Sequence, residues 1–562
     1  MTVTIEDSRR LTGPNIYFQG TGAALEAVGA DIPESVISDW AGFIRIARSR
    51  LQWPDGAVAT RRHAGGVSLA FEAPLDQLNT ATEVNEWAFL RAAQARAAAD
   101  LPDDIIDMAD READPCLVAL VNAARAKGIP VHFDDEFFTA GECHLSHQWP
   151  ATQLPTLAVM EAADTGRVPK VVITGSNGKT TTTRALATIL SMSGKRAGYS
   201  STDGIVVDGE VVDEGDFSGP MGLRSVLRNR SVEVAILETA RGGLLRRGLA
   251  TQDADVAIVT NVSEDHFGEY GVHTLRDLVT VKLLVHKSLR HGGQLVVNAG
   301  DALLTEGAFR LVDTRKAWFA RSLSVARAQG LPACGAQDGR LILVALDGME
   351  IDLGETAAMP ISLQDKAQYN LENLAAAALA AHLIGVDAAV IGQAMHTFGS
   401  GAHSNPGRLQ YWNVDGVHVL LDYAHNPDGL AKLLEVASQF RGDGRLGLAL
   451  EQAGNRTNED IVALATVGAS AKPERVWLKE LGGTYMRGRD VGVVIELLRS
   501  ALIEGAVAAQ RVSVVEDVEA LMTTALAWAE PGDVVVLPIH ITEERDVAIA
   551  LLNRKARQST GS

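Results

Sequence analysis

The sequence predicts an α/β protein in three parts: a smaller α+β N-terminal domain at 1–160, a central parallel-sheet domain at 165–405, and a C-terminal Rossmann-like α/β domain at 406–562. Three observations carry this reading. A β-branched run at 171–173 breaks into a Gly-rich turn and then a helical pattern. Buried-strand runs alternate with helices from 170 to about 300, the signature of a parallel sheet covered on both faces. A second alternation of the same kind begins after Pro406-Gly407-Arg408, where the composition changes.

The turn at 174–182 reads TGSNGKTTT. Gly175, Ser176, Asn177 and Gly178 let the backbone close around a phosphate, and the helix start adds favourable partial charge. Lys179 would reach the terminal phosphates, Thr180 would ligate Mg²⁺, and Thr181 continues the first turn. The common P-loop spacing puts glycine where Ile173 stands, so the loop is a variant whose first glycine is Gly175. The expected ligand is a nucleotide with Mg²⁺.

Ligands of parallel sheets gather at the C-terminal ends of the strands. The run 232–237 ends at Glu238, and the run 255–260 leads through Asn261 to Asp265 and His266. Both therefore converge with the P-loop. Glu238 is placed to hold Mg²⁺, the plain alternative being a surface carboxylate that caps a turn. His266 is a second metal or phosphate contact, although a lone histidine is more often structural. Lys282, on a predicted helix, reads by itself as a solvated lysine. Asn370 and Asn373 share one face of the helix 370–383, and either read a nucleobase edge or cap that helix.

In the second alternation the strand 417–421 ends at Asp422, followed by Tyr423, Ala424, His425 and Asn426. Strands at 446–450, 475–478 and 534–537 complete that sheet. Arg408 stands at the domain junction, suited to grip ribose or phosphate. Arg456, Arg487 and Arg489 are planar forks suited to carboxylate or phosphate, or are surface residues. Residues 305–360 read as a peripheral sheet, 150–155 and 164–169 as linker, 67–71 as a strand and 83–99 as an amphipathic helix.

Composition excludes several classes. The 51 basic and 70 acidic residues give a net charge of −19, which argues against a nucleic-acid surface. No apolar run approaches roughly 20 residues, so no membrane span is expected. Cys116, Cys143 and Cys334 match no metal spacing and fit a reducing cytoplasm. The stretch 15–20, NIYFQG, looks like a protease-tag remnant but reads as native sequence.

With these motifs in hand, the chain resembles the Mur ligase superfamily of ATP-dependent amide ligases. TGSNGKTTT, ETARGG (238–243), TNVSEDH (260–266), NLENLAAA (370–377), PGR (406–408) and DYAHNP (422–427) stand in family order. The segments 201–220 and 238–249 and the RGR at 487–489 are similar to the Mur-like half of the cyanophycin synthetases. GPNIYF (13–18) resembles the start of that family's N-terminal domain. The family places an ATP-grasp domain between those two parts, and here the P-loop follows at once.

The resemblance implies that a substrate carboxylate is activated as an acyl phosphate and joined to an amine. Lys179, Glu238, His266 and Lys282 would be catalytic, and Lys282 aligns with a lysine the family carbamylates. Asn370, Asn373, Arg408, Asp422 and His425 would line the nucleotide. Thr202, Asp203 and Gly204, with Arg456, Arg487 and Arg489, would recognise the amino-acid or peptide substrate, with arginine added to an aspartyl group as the specific case. The resemblance also suggests self-association. The missing domain raises an alternative: a non-catalytic or regulatory nucleotide-binding subunit that partners a separate ATP-grasp ligase.

Overall fold

The structure, a computed structural model, describes residues 3–29, 31–94, 100–264, 267–401 and 404–560. The chain divides into two compact units. The first comprises Met1–Val262, Phe267–Leu353 and Glu372–Ala394; the second comprises Ser263–His266, Gly354–Leu371 and Met395–Ser562.

The first unit is organised by a large mixed sheet, eleven strands among the described residues. Its spatial order is Glu210–Asp213, Gly204–Val207, Ala197–Ser201, Val234–Glu238, Lys170–Thr174, Ala254–Val259, Leu289–Asn298, Arg315–Ser322, Ala333–Gln337, Arg340–Val344 and Glu350–Glu355. The strands from Ala197–Ser201 to Ala333–Gln337 run parallel, and both flanks turn antiparallel. The P-loop strand Lys170–Thr174 lies between Val234–Glu238 and Ala254–Val259, buried along its whole length. Continuous apolar runs suit such central parallel strands, whose two faces are both covered. The segment 305–360, read as a peripheral sheet, supplies the strands at one end of this large sheet, and the helices Ala302–Phe309 and Leu323–Gln329 accompany it. At the opposite edge, all four residues of Glu210–Asp213 are exposed, Val211 at 59% and Val212 at 57%.

The N-terminal part of this unit is a four-stranded antiparallel sheet ordered Thr4–Leu11, Gly22–Val28, Gly66–Glu72, Val58–His63. The helices Glu34–Leu51 and Leu78–Ala93 pack on it through Trp40, Phe43, Ile44, Ala88 and Phe89. The amphipathic pattern at 83–99 belongs to that second helix; its last five residues, 95–99, lie outside the described ones. A small sheet (Val131–Phe133, Phe137–Ala140, His147–Pro150) follows. Its neighbour Glu142, fully buried, pairs with the equally buried Lys170 at the foot of the P-loop strand, and Lys170 also reaches Asp253 at 2.6 Å.

The GPNIYF segment is a clasp. Asn15 is buried, its amide oxygen accepting from Tyr17 and Phe18 N–H and its amide nitrogen donating to the carbonyls of Gly13 and Gly20. Its own carbonyl receives Lys287 Nζ at 2.6 Å, and Pro14 O receives Leu249 N–H at 2.8 Å.

The second unit holds a six-stranded sheet ordered Gln410–Val414, Val417–Asp422, Val534–Pro538, Leu446–Leu450, Arg475–Lys479, Val512–Val515. Only the first pair is antiparallel. Alternate residues feed two cores: Leu420, Leu448, Val476 and Val536 face one, and Val419, Ala449, Trp477 and Val535 face the other. Among the described residues no helix is long and apolar enough to cross a membrane.

Candidate functional site

Gly178 ends the P-loop in a left-handed conformation (φ 85) and caps the helix Lys179–Met192. The first intrahelical bond runs from Thr182 N–H to Gly178 O at 2.9 Å, so the amides before Thr182 are the ones a helix start offers to an external acceptor. Earlier in the loop the amides go elsewhere. Ser176 N–H donates to Asn261 O and Asn177 N–H to Asn261 Oδ1, both at 2.9 Å. Asn177 O receives Thr260 Oγ1 at 2.6 Å and Asn261 Nδ2 at 3.0 Å. The Thr260-Asn261 pair at the end of the adjacent strand thus splints the loop, a role that reading the sequence did not assign. A phosphate would be met by the helix start rather than by every amide of the loop.

Two glycines are sterically required. A Cβ on Gly175 would lie 1.8 Å from Thr260 Oγ1, and one on Gly178 would lie 2.2 Å from Asn373 Oδ1. Asn373 therefore stands against the phosphate loop, with Thr182 Oγ1 3.5 Å from its Oδ1.

Lys179 Nζ donates to Gly175 O at 3.1 Å and Ser176 O at 3.2 Å. Lys282 is not solvated: it is buried, and its Nζ donates to the same Gly175 O at 2.9 Å. Thr180 Oγ1 donates to Glu238 Oε2 at 3.0 Å and lies 3.3 Å from Thr202 Oγ1. Glu238 is fully buried at the end of its strand. A hydroxyl beside a buried carboxylate at a helix N-terminus is an oxygen donor set suited to Mg²⁺, so the residues fit that ion with its nucleotide. Among the described residues no three His, Cys, Asp or Glu side chains gather into a metal cluster. His266 lies outside the described residues.

Thr181 is buried in the first turn of the helix. Asp203 pairs with Arg184 at 2.9 Å, and Gly204 (φ 140) would place a Cβ 2.5 Å from Asp213 O. The TDG segment therefore stands beside the P-loop through Thr202, while Asp203 is held by the P-loop helix.

The second unit carries its own strand-end cluster. Asp422 accepts Leu409 N–H at 2.6 Å; burial pushes its carboxyl above the usual range, with Arg408 and that N–H opposing the rise. The guanidinium groups of Arg408 and Arg545 lie 4.2 and 5.0 Å from the Tyr423 ring centroid. His425 Nδ1 is 3.1 Å from Tyr423 O. Asn370 is buried, and its amide donates to Ile361 O at 3.1 Å.

Three further residues stand at or just past strand ends of this sheet: Lys479 ends Arg475–Lys479, Glu451 follows Leu446–Leu450, and His540 comes two residues after Val534–Pro538. Lys479 pairs with Glu451 at 2.9 Å and Glu544 at 2.7 Å, and Glu451 also accepts His540 N–H at 2.6 Å. Burial lowers the His540 imidazole to about 3, so it is neutral in ordinary buffers. Arg456 is buried, and its carbonyl receives Arg489 Nη2 at 2.7 Å; Arg489 also reaches Gly454 O and Asn458. Arg489 thus organises its loop, while Arg487 is exposed in a left-handed conformation (φ 52).

A P-loop sheet with a strand-end carboxylate, followed by a second, mostly parallel α/β sheet, is the arrangement that two ligase-family models match. The Mur ligase middle domain family matches residues 173–381, and the Mur ligase glutamate ligase domain family matches 407–538. By these two domains the chain is a member of the Mur ligases. Among curated proteins, cyanophycin synthetase of Geminocystis herdmanii (strain PCC 6308) is 35% identical over 382 residues, 67% of this chain and 43% of that one. The UDP-N-acetylmuramoyl-L-alanyl-D-glutamate–2,6-diaminopimelate ligase of Xanthomonas campestris pv. campestris (strain 8004) is 30% identical over 271 residues, 47% of this chain and 52% of its own. The chain spans less than half the length of the cyanophycin synthetase. Escherichia coli FolC, solved with ADP and without folate substrate, superposes with a TM-score of 0.51 at 19% identity, over 69% of this chain and 90% of FolC.

Proposed function

We propose that this protein is an ATP- and Mg²⁺-dependent amide ligase that activates an amino-acid or peptide carboxylate as an acyl phosphate and joins it to an amine. The domain reading 1–160, 165–405 and 406–562 and the cytoplasmic assignment go with it. The observation that carries the proposal is the convergence of Lys179, Lys282 and the Thr180–Glu238 pair on one phosphate loop. Arginine joined to an aspartyl group is the specific reading, supported by the likeness to cyanophycin synthetase.

Bound Mg²⁺ would supply charge neutralisation for the transferring phosphoryl group. The chain's own residues do the rest. Thr180 and Glu238 would hold the ion, and Lys179 would exchange the loop carbonyls for the anion. The amides of the helix start would fix the phosphates, and Lys282 holds Gly175 through its carbonyl. On the family resemblance, Asn370, Asn373, Arg408, Asp422 and His425 are proposed as nucleotide residues, and Arg456, Arg487 and Arg489 as substrate residues.

The test is incubation with ATP, Mg²⁺, aspartyl peptides and a panel of amino acids, with phosphate release followed and products weighed by mass spectrometry. A new amide with stoichiometric phosphate supports the ligase. ATP turnover that no acid or amine raises would overturn it; turnover that appears only with an added ATP-grasp ligase would favour the regulatory alternative.

A further inference from the structure

Arg61 lies in Val58–His63, the edge strand of the N-terminal sheet, yet its guanidinium is spent on the segment that follows the Ala254–Val259 strand. It donates to Tyr270 O at 3.2 Å and to Gly271 O, and reaches Asp277 Oδ1 at 3.3 Å. The two carbonyls belong to a turn in which Tyr270 (φ 52) and Gly271 (φ 68) are both left-handed. A bulky residue in that region is strained, and its surroundings must hold it there.

Other contacts of the N-terminal sheet fall on the same turn. The Arg9 guanidinium lies 4.7 Å from the Tyr270 ring centroid, and the His63 ring stacks on His273 at 5.4 Å. Asp277 is one half of a capping box: it accepts Thr274 N–H and receives the Thr274 hydroxyl, while Thr274 Oγ1 accepts Asp277 N–H. The helix so capped, Leu275–Leu283, carries Lys282, about 7.5 Å further along its axis. Lys282 ends on Gly175 O.

We infer that Arg61 is a positioning residue. It fixes the turn and the cap, and through one rigid helix sets where the Lys282 ammonium meets the phosphate loop. The N-terminal sheet is then part of the phosphate site's framework. The effect on turnover rests on the ligase reading; the effect on the helix does not.

The test therefore has two arms, on Arg61→Ala and the charge-conserving Arg61→Lys. In hydrogen exchange of the full chain with ADP and Mg²⁺, amides of residues 275–283 should exchange at least roughly tenfold faster in Arg61→Ala, while those of Thr4–Leu11 and Gly22–Val28 stay unchanged. Unaltered exchange at 275–283, or equal acceleration across the whole N-terminal sheet, would overturn the inference. In turnover, Arg61→Ala should lower kcat with little change in KM for ATP. The double variant with Lys282→Ala should be no slower than Lys282→Ala by itself, and multiplied losses would overturn the route through Lys282. A lysine cannot span two carbonyls and a carboxylate, so Arg61→Lys should follow Arg61→Ala in both arms; should the alanine variant not fold, the lysine variant decides. If wild type turns over nothing, the ligase reading fails and the exchange arm still decides the helix placement.

Discussion

Lys179 and Lys282, more than a hundred residues apart, donate to one carbonyl oxygen, that of Gly175, at 3.1 and 2.9 Å. The two ammonium groups have different freedom. Lys179 starts the P-loop helix and can exchange the carbonyl for an anion. Lys282 is buried, so drawing its ammonium away from Gly175 O carries a desolvation cost that Lys179 does not face.

Removing each lysine should therefore give different phenotypes. A charge-assisted hydrogen bond contributes about 1.5–3 kcal/mol, so Lys179→Ala should weaken ADP binding by roughly 10- to 150-fold in calorimetry and abolish ATP use with the fold intact. Lys282→Ala should leave ADP affinity within a few fold and depress kcat. Recovery of that kcat by small carboxylic acids would support carbamylation of Lys282; undiminished activity would remove it from the mechanism.

The loop glycines should also differ. On Gly175 a methyl meets Thr260 at Cβ and backbone as well as at the hydroxyl, whereas on Gly178 it meets only the Asn373 side chain. Gly175→Ala should lose nucleotide binding and lower Tm. Gly178→Ala should be milder, because the Asn373 side chain can give way, although the left-handed backbone (φ 85) still strains an alanine there. Equal severity of the two single variants would contradict this geometry.

Asn261 can be tested as the splint. Asn261→Ala removes one acceptor and one donor for Asn177, together about 2 kcal/mol. ADP affinity should fall roughly 30-fold while the far-ultraviolet circular dichroism spectrum stays unchanged. An ADP affinity equal to wild type would show that the loop holds its shape without this residue.

His540 gives the second unit an acid limb. Its folded pKa of about 3 lies below the unfolded value of 6.5, so between those pH values the unfolded chain binds the extra proton. Stability contributed by the neutral imidazole is complete above pH 6.5 and is lost as pH falls toward 3. Urea midpoints should drop between pH 7 and 4.5, and His540→Gln should flatten that dependence. An unchanged slope in the variant would assign the acid limb to other groups.

What was legible in the sequence was whatever chain order and strand ends disclose. Glu238 and Asp422 were found because an apolar run stops at each of them. The same rule reaches Glu451 and Lys479, each directly after a predicted strand, and would have found that pair had it been applied throughout; His540 stands three residues past the strand 534–537, beyond its reach. Lys282 was legible only through family resemblance. The local helical pattern describes a solvated lysine, and its burial comes from packing against a loop far away in the chain. Asn261 was invisible for a related reason: nothing local says that its side chain turns back to the P-loop. The strands after 310 were recognised but not their attachment, because pairing order in a sheet is a long-range property. The arginines at 487 and 489 looked equivalent, and only the folded loop separates an exposed fork from one holding three backbone and side-chain acceptors.

The exposed edge strand Glu210–Asp213 has a practical bearing on how the protein behaves in a tube. It ends the large sheet with two outward valines and a row of backbone groups suited to pairing with another chain. Asp208, Glu210, Asp213 and Glu214 surround it with like charge, which keeps one molecule's edge from docking on another's. That protection is colloidal, not covalent: it thins as salt screens it. Concentrated stocks should stay clear in dilute buffer and turn turbid as salt is raised.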